Sequence, residues 1–292
     1  YNHSIIPKST YSAVAVRASD SLIVKNCYIT GAQSEGGILA DGYTEIDSTT
    51  ITGNLEYGVF QSGTSAPMAT IKNCIITNDS TNKKSIGIRI SGKTANIKNN
   101  LIGIDANGNV KGYSIGIWIE MTSSSSIIEG NTIAGNDSIG IYINGRTDLK
   151  GNYIGTDRNF NNLGNGSDGL FIGGRCVVTF PSSLDSANYI GFNKRHGIYS
   201  QGNMTACNAS FNYIGVTPQG DPMPNGEYGI YMETSRQDQN IKGNLIGFNG
   251  KGGVHYEDYN SIITENLFFG TNGKAISDRR TSYQLAIPSI IQ

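Results

Sequence analysis

Asparagine recurs in this chain at one fixed distance from an apolar residue. Asn100, Asn131, Asn152, Asn188, Asn212, Asn244 and Asn266 each stand two residues before Ile102, Ile133, Ile154, Ile190, Ile214, Ile246 and Phe268. Cys27, Thr49 and Cys74 hold the same place before Ile29, Ile51 and Ile76. Copies lie no closer than about twenty residues, and a repeat of that period is the signature of a solenoid. A second motif, glycine-aliphatic-large-apolar, alternates with the first, from Gly37-Ile-Leu-Ala to Gly253-Val-His-Tyr. Each motif alternates apolar with polar or aromatic residues, the period of a half-buried strand. Two short strands per turn and no helical period predict an all-β chain. The expected fold is a single-stranded parallel β-helix of about ten turns, right-handed by the rule for parallel crossovers.

One turn cannot bury its own apolar face. Turns stacked about 4.8 Å apart can, because they form continuous parallel sheets around a dry interior. The asparagine column then becomes a ladder in which each amide donates to the carbonyl of the next turn. Cys27 and Cys74 lie two turns apart, too far for a disulfide. Cys176 and Cys207 fall in adjacent turns, and an insertion hides their register, so their pairing stays open. The cysteines have no metal-site spacing and read as small core residues.

The formal net charge of −1 argues against a nucleic-acid surface, and no apolar run approaches a membrane span. The chain opens at Tyr1, which reads as a processed or excised segment of a secreted protein. The whole chain, 1–292, reads as one domain. Its repeat turns run from about 14 to 275, and 278–292 is either a C-terminal cap or a lead into a further domain.

Asn152-Tyr-Ile-Gly-Thr-Asp and Asn100-Leu-Ile-Gly-Ile-Asp, with the Gly- and Asn-rich residues that follow, resemble the right-handed β-helix repeats of large bacterial surface proteins in the pectate-lyase-like superfamily. Gln284-Leu-Ala-Ile-Pro resembles the close of such arrays. The resemblance implies the fold and does not choose among the lyases, hydrolases, epimerases, tailspikes and adhesins of that superfamily. The calcium-Asp and catalytic-Arg pattern of pectate lyases is not recognisable. Every Asp-Ser pair is followed by Leu, Ile, Ala or Thr, which is similar to the O-glycosylation signal of Bacteroidetes. That similarity implies glycosylation at Ser21, Ser48, Ser80, Ser138 and Ser186, and an extracellular, cell-surface location. Asp-Ser is also ordinary turn chemistry.

The residue two after each motif glycine should point outward. That column reads Leu39, Phe60, Arg89, Trp118, Tyr142, Phe171, Tyr199, Tyr231 and His255. Phe60, Trp118, Tyr142, Phe171, Tyr199 and Tyr231 are carbohydrate-binding candidates, one ring per turn for a polysaccharide lying along the coil. The alternatives are rings stacked only for stability, and an interface with another copy or a partner domain. The next outward column holds Glu233 and Glu257 in neighbouring turns, at about the 5 Å separation of a retaining glycosidase pair. With His255 and Tyr231 they form the candidate catalytic group, with Arg195 and His196 at the preceding bend. The bland alternative is splayed, screened carboxylates. A lysine column (Lys25, Lys72, Lys98, Lys150, Lys242), interleaved with Asp47, Glu129 and Asp185, reads as a solvated face.

Long bends follow Asn100, Asn152 and Asn212 and should project beside the aromatic column. No cofactor is expected. Calcium near Asp105, Asp157 and Asp221 is the lesser alternative, since Asp and Asn also serve tight loops. The functional expectation is an adhesin or stalk module contacting a polysaccharide or cell-surface glycan. A polysaccharide lyase or glycoside hydrolase is the rival, and a structural spacer the third reading.

Overall fold

The computed structural model describes residues 3–5, 14–32, 35–63, 68–78, 84–92, 94–120, 125–174, 176–202, 206–233, 239–257, 261–270 and 272–278. The strands wind into a parallel β-helix. A first sheet of eleven strands runs from His3–Ile5 to Leu267–Phe269, and a second of eleven from Val14–Ala18 to Lys274–Asp278. A third has eight strands from Ser21–Lys25 to Ala206–Asn208, and the pair Gln239–Lys242 and Ser261–Thr264 follows it. Each turn therefore carries three strands rather than two. The third strand escapes a sequence reading because on most turns only two residues separate it from the first-sheet strand. One of those two residues takes a left-handed conformation, as at Asn73 (φ 55°) and Asn99 (φ 53°), and turns the chain sharply.

The core is stacked isoleucine. Ile76, Ile102, Ile133, Ile154, Ile190 and Ile214 form one column of the first sheet, all fully buried. The other sheets supply matching columns through Ile88, Ile117 and Ile141, and through Ile71, Ile97 and Ile128. The asparagine ladder is present as expected. Asn100, Asn131, Asn152, Asn188, Asn212 and Asn244 each donate from Nδ2 to the next Oδ1 over 2.9–3.1 Å. All four cysteines are free thiols. Cys207 lies in the third core column beside Val178, and burial pushes the Cys74, Cys176 and Cys207 thiols up to about 12.

A second asparagine ladder runs parallel to the first. Asn136, Asn165, Asn193, Asn225 and Asn249 repeat the Nδ2-to-Oδ1 bond at 2.8–2.9 Å. Its members stand either five residues after a first-ladder asparagine (Asn131 to Asn136) or thirteen after one (Asn152 to Asn165). The long bends are thus inserts that rejoin the same ladder, and Tyr113 fills the corresponding place after Asn100, donating to Thr77 O at 2.8 Å.

The second ladder explains the glycine motif. A Cβ on Gly140 would lie 2.6 Å from Gly169 O and 2.8 Å from Asn165 Nδ2. Neither atom is free to move, because one is backbone and the other a ladder amide. Gly140→Ala is therefore expected to destabilise the protein by about 2 kcal/mol through overpacking, read as a lower denaturation midpoint at unchanged m-value. An unchanged midpoint would show that the coil yields at this corner.

Candidate functional site

Backbone register brings the predicted outward column into line. Arg17, Leu39, Phe60, Arg89, Trp118, Tyr142, Phe171, Tyr199, Tyr231, His255 and Ser277 are successive partners across the second sheet. From Leu39 to His255 every member is half-buried. The rings lie on one another in different ways. Tyr142 and Phe171 are face to face at 4.9 Å and 9°, whereas Trp118 tilts 55° from Tyr142 and Tyr199 stands edge-on to Phe171 at 88°. Arg89 sits over Phe60 and Trp118 at 4.9 and 5.1 Å and is held by Glu120 at 2.9 Å. A concavity of about 240 Å³ at the N-terminal end of the stripe is lined by Arg17, Glu35, Leu39, Tyr57 and Phe60.

Titratable side chains gather at the other end. Tyr199 Oη donates to Glu233 Oε2 and Tyr231 Oη donates to Glu257 Oε1, both at 2.6 Å. Burial, then the carboxylate partner, pushes both phenols well above the usual tyrosine range. Each glutamate is thus bonded to a tyrosine of the preceding turn. His255 joins through Nε2, 3.8 Å from Glu257 Oε1, while its Nδ1 lies 2.8 Å from Ser277 Oγ. Under these groups sits His196, only 2% exposed and stacked on Tyr231 at 4.7 Å. Its Nδ1 accepts from Tyr228 N at 3.3 Å, which leaves the proton on Nε2, 3.4 Å from Glu227. Burial, assisted by the Arg195 charge, pushes this imidazole down to about 4, so it is neutral at pH 7. Asp168, 1% exposed, accepts from His196 N at 3.2 Å. Burial pushes its carboxyl up, against the pull of Arg195 at 3.6 Å.

Sequence reading located Glu233, Glu257, His255, Tyr231, Arg195 and His196 but missed Glu227 and Lys251, which pair at 2.9 Å. It also missed a second aromatic ladder, Tyr153, Tyr189 and Tyr213, stacked on the first sheet at 4.8 and 5.3 Å. Its signal was the residue between each ladder asparagine and its isoleucine. The loop after Asn152 folds over this ladder, with Phe160 against Tyr153 and Tyr189. The expected position beside the aromatic stripe holds for the far limb of that loop, which delivers Asp168, and for the far limb of the loop after Asn212, which delivers Glu227 and Tyr228.

The loop aspartates brace their own turns. Asp105 accepts from Asn107 N, Asn109 N and Asn109 Nδ2, and Asp157 accepts the same three bonds from Asn159 and Asn161, all at 2.8–3.0 Å. Asp221 donates its N–H to Thr217 Oγ1 at 3.0 Å. A calcium ion would compete with these bonds at Asp105 and Asp157. Lys98 and Lys150 both pair with Glu129, and Lys72 with Asp47, as the charged column requires. Asp185 leaves that column for a short 3-10 turn, Leu184–Ser186. Of the glycosylation candidates, Ser21, Ser48 and Ser186 are exposed and Ser138 is half-buried, while Ser80 lies outside the described residues. So does the close of the chain from 279.

Over residues 12–167, more than half of its length, the sequence matches the family described as the right-handed beta helix region. The chain belongs to that family. The parallel sheets of this beta-helix protein accordingly wind with a right hand. Among solved structures it is similar to the Dettilon tailspike protein (gp208), at 14% identity and a TM-score of 0.44. That likeness covers 95% of this chain and 61% of the tailspike chain, so the beta-helix protein spans less than two thirds of its neighbour. No curated protein sequence matches it. Among the described residues, no helix is long and apolar enough to cross a membrane.

Proposed function

We propose that this chain is a non-catalytic module of an exported bacterial surface protein, an adhesin or stalk, that contacts polysaccharide through the outward face of its second sheet. The observation that carries this reading is the in-register column of half-buried rings with carboxylates along one side. Glu120, Glu233 and Glu257 accept hydrogen bonds beside Trp118, Tyr199 and Tyr231. Saccharides are bound by rings against their C–H faces and by charged acceptors at their hydroxyls. Ring orientation divides the labour. Tyr142 and Phe171 cover each other's faces and hold the ladder together. Trp118, between Arg89 and Tyr142, and Tyr199, between Phe171 and Tyr231, are tilted against their neighbours, and both rings are half-buried, so their outer edges form the contact surface.

Trp118→Ala is expected to weaken polysaccharide binding at least tenfold and to cost about 2 kcal/mol of stability, since it removes the ring contacts with Arg89 and Tyr142. Tyr142→Ala is expected to cost about 2 kcal/mol, because it removes two ring contacts. Glycan-array binding and denaturation of both variants check this. A Trp118→Ala protein that binds normally would remove the stripe as the contact surface.

A second reading places a glycoside hydrolase or polysaccharide lyase at Glu233 and Glu257. It is favoured by the two 2.6 Å tyrosine–glutamate bonds over a buried histidine. Reducing-end and unsaturated-uronate assays on a carbohydrate panel decide it. Turnover that Glu257→Gln abolishes supports the enzyme, and its absence, or its full retention in Glu257→Gln, removes this site.

A further inference from the structure

The bend between the third and first sheets normally carries a side chain at its left-handed position: Asn26, Ser48, Asn73 and Asn99. On the next turns that place is taken by Gly130 and Gly151. The left-handed conformation alone does not demand glycine, because the chain itself uses asparagine and serine there; a Cβ at Gly130 would lie 2.5 Å from Asn99 Oδ1, whereas one at Gly151 would make only ordinary contacts. Glycine at both positions has a different consequence, the removal of side chains from neighbouring turns. Ala187 then precedes Asn188 and adds only a methyl. The result is a trough of about 350 Å³ running across the turns.

Its walls are specific. Tyr153 and Tyr189, stacked at 4.8 Å, stand on one side. Glu129 and Lys150, paired at 3.3 Å, stand on the other. Arg158 reaches over from the loop, 5.3 Å above the Tyr153 ring, and donates to Gly130 O at 3.2 Å. One guanidinium N–H is thereby used, and most of its donors remain for a ligand. The lip is the segment 180–187. Thr179 pairs with Asp148, yet it lies nine residues before Asn188, whereas Asp148 lies four before Asn152. The extra residues carry Asp185 to the rim, and a further hollow of about 410 Å³ continues past Lys150 and Ser186 toward Asp148 and Phe180.

We infer that this trough is a second binding site, for a neutral, hydroxyl-rich oligosaccharide. Charge and polarity choose the class. Two cations, Lys150 and Arg158, face two carboxylates, Glu129 and Asp185, so a polyanion finds no net attraction. The lining is mainly polar, which an apolar peptide would leave unpaired. Charged donors and acceptors around a tyrosine wall suit the hydroxyls of a sugar, and the volume lies in the range of small-ligand sites. The trough is separate from the stripe of the second sheet and does not depend on it.

The test is titration calorimetry with cellohexaose, maltohexaose, mannohexaose, xylohexaose and chitohexaose, and with polygalacturonate and dextran sulfate as polyanions. Gly151→Asn fills the trough with the residue the coil already accepts at Asn73 and Asn99. A Cβ there meets nothing nearer than Gly130 N at 3.7 Å. At least one neutral hexasaccharide is expected to bind Trp118→Ala as it binds the unchanged protein, and to lose at least tenfold affinity in Gly151→Asn. Arg158→Ala, whose side chain is on the surface, should weaken the same ligand and stands in if Gly151→Asn folds poorly. The proposal is overturned if no neutral hexasaccharide binds, if only the polyanions bind, or if binding is lost in Trp118→Ala and untouched by both trough variants. That last result would leave the stripe reading intact.

Discussion

Replacing Asn152 with alanine is expected to lower the unfolding free energy by about 4 kcal/mol. Asn152 is fully buried. Its Nδ2 donates to Ile128 O at 2.8 Å and to Asn188 Oδ1 at 2.9 Å. Its Oδ1 accepts from Asn131 N and Asn131 Nδ2, both at 3.1 Å. Alanine removes all four bonds and strands the Asn131 N–H in a dry stack. A buried unmet donor costs about 1–3 kcal/mol beyond the bonds themselves. Asn159→Ala, in an exposed loop, should stay within about 0.5 kcal/mol of the unchanged protein. Urea denaturation of the two variants tests the ladder directly, and equal midpoints would mean that its bonds add nothing to what water supplies.

Acid should weaken the fold through His196. The ordinary histidine value is 6.5, and burial holds this one at about 4. Between those values the unfolded chain binds a proton that the folded protein refuses. The contribution of His196 is therefore present in full above pH 6.5 and is lost as pH falls toward 4. The loss amounts to about 3 kcal/mol. Arg195, Lys251 and His255 oppose the proton and Glu227 favours it. Asp168 acts in the opposite sense, because its raised carboxyl gives stability at low pH that is lost as pH rises. Comparison with His196→Asn separates the two, since asparagine keeps an acceptor for Tyr228 N and cannot be charged. The difference in stability between the proteins should shrink from pH 7 to pH 4. Parallel profiles would show that His196 titrates normally.

The parts of this fold that were legible in the sequence are those written in one strand. The asparagine and its isoleucine two residues later fix a ladder rung and a core position together, so the first sheet could be read residue by residue. The stripe from Phe60 to His255 was legible for the same reason, because one glycine marks the phase of every second-sheet strand. Contacts between turns were less legible. Asn165 belongs to the same ladder as Asn136 although the two sit at different distances from their first-ladder asparagines. Tyr153 and Tyr189 stack across 36 positions that include two loops. Glu233 and Glu257 were placed on the correct face, but their tyrosine partners follow from side-chain reach, which no spacing encodes.

The sequence by itself determined the coil. Strand alternation and the repeated asparagine leave stacked turns as the way to bury the isoleucines and satisfy the amides together. Only the tertiary structure decided what the surface offers. Loop length sets which turn supplies Asp168 to His196, and the absence of side chains at Gly130 and Gly151 opens a trough visible only when the turns are stacked. The physical reason is one of range. A strand's burial pattern is local and survives in the order of its residues, whereas a site is built between turns, where inserted residues shift the order without shifting the register.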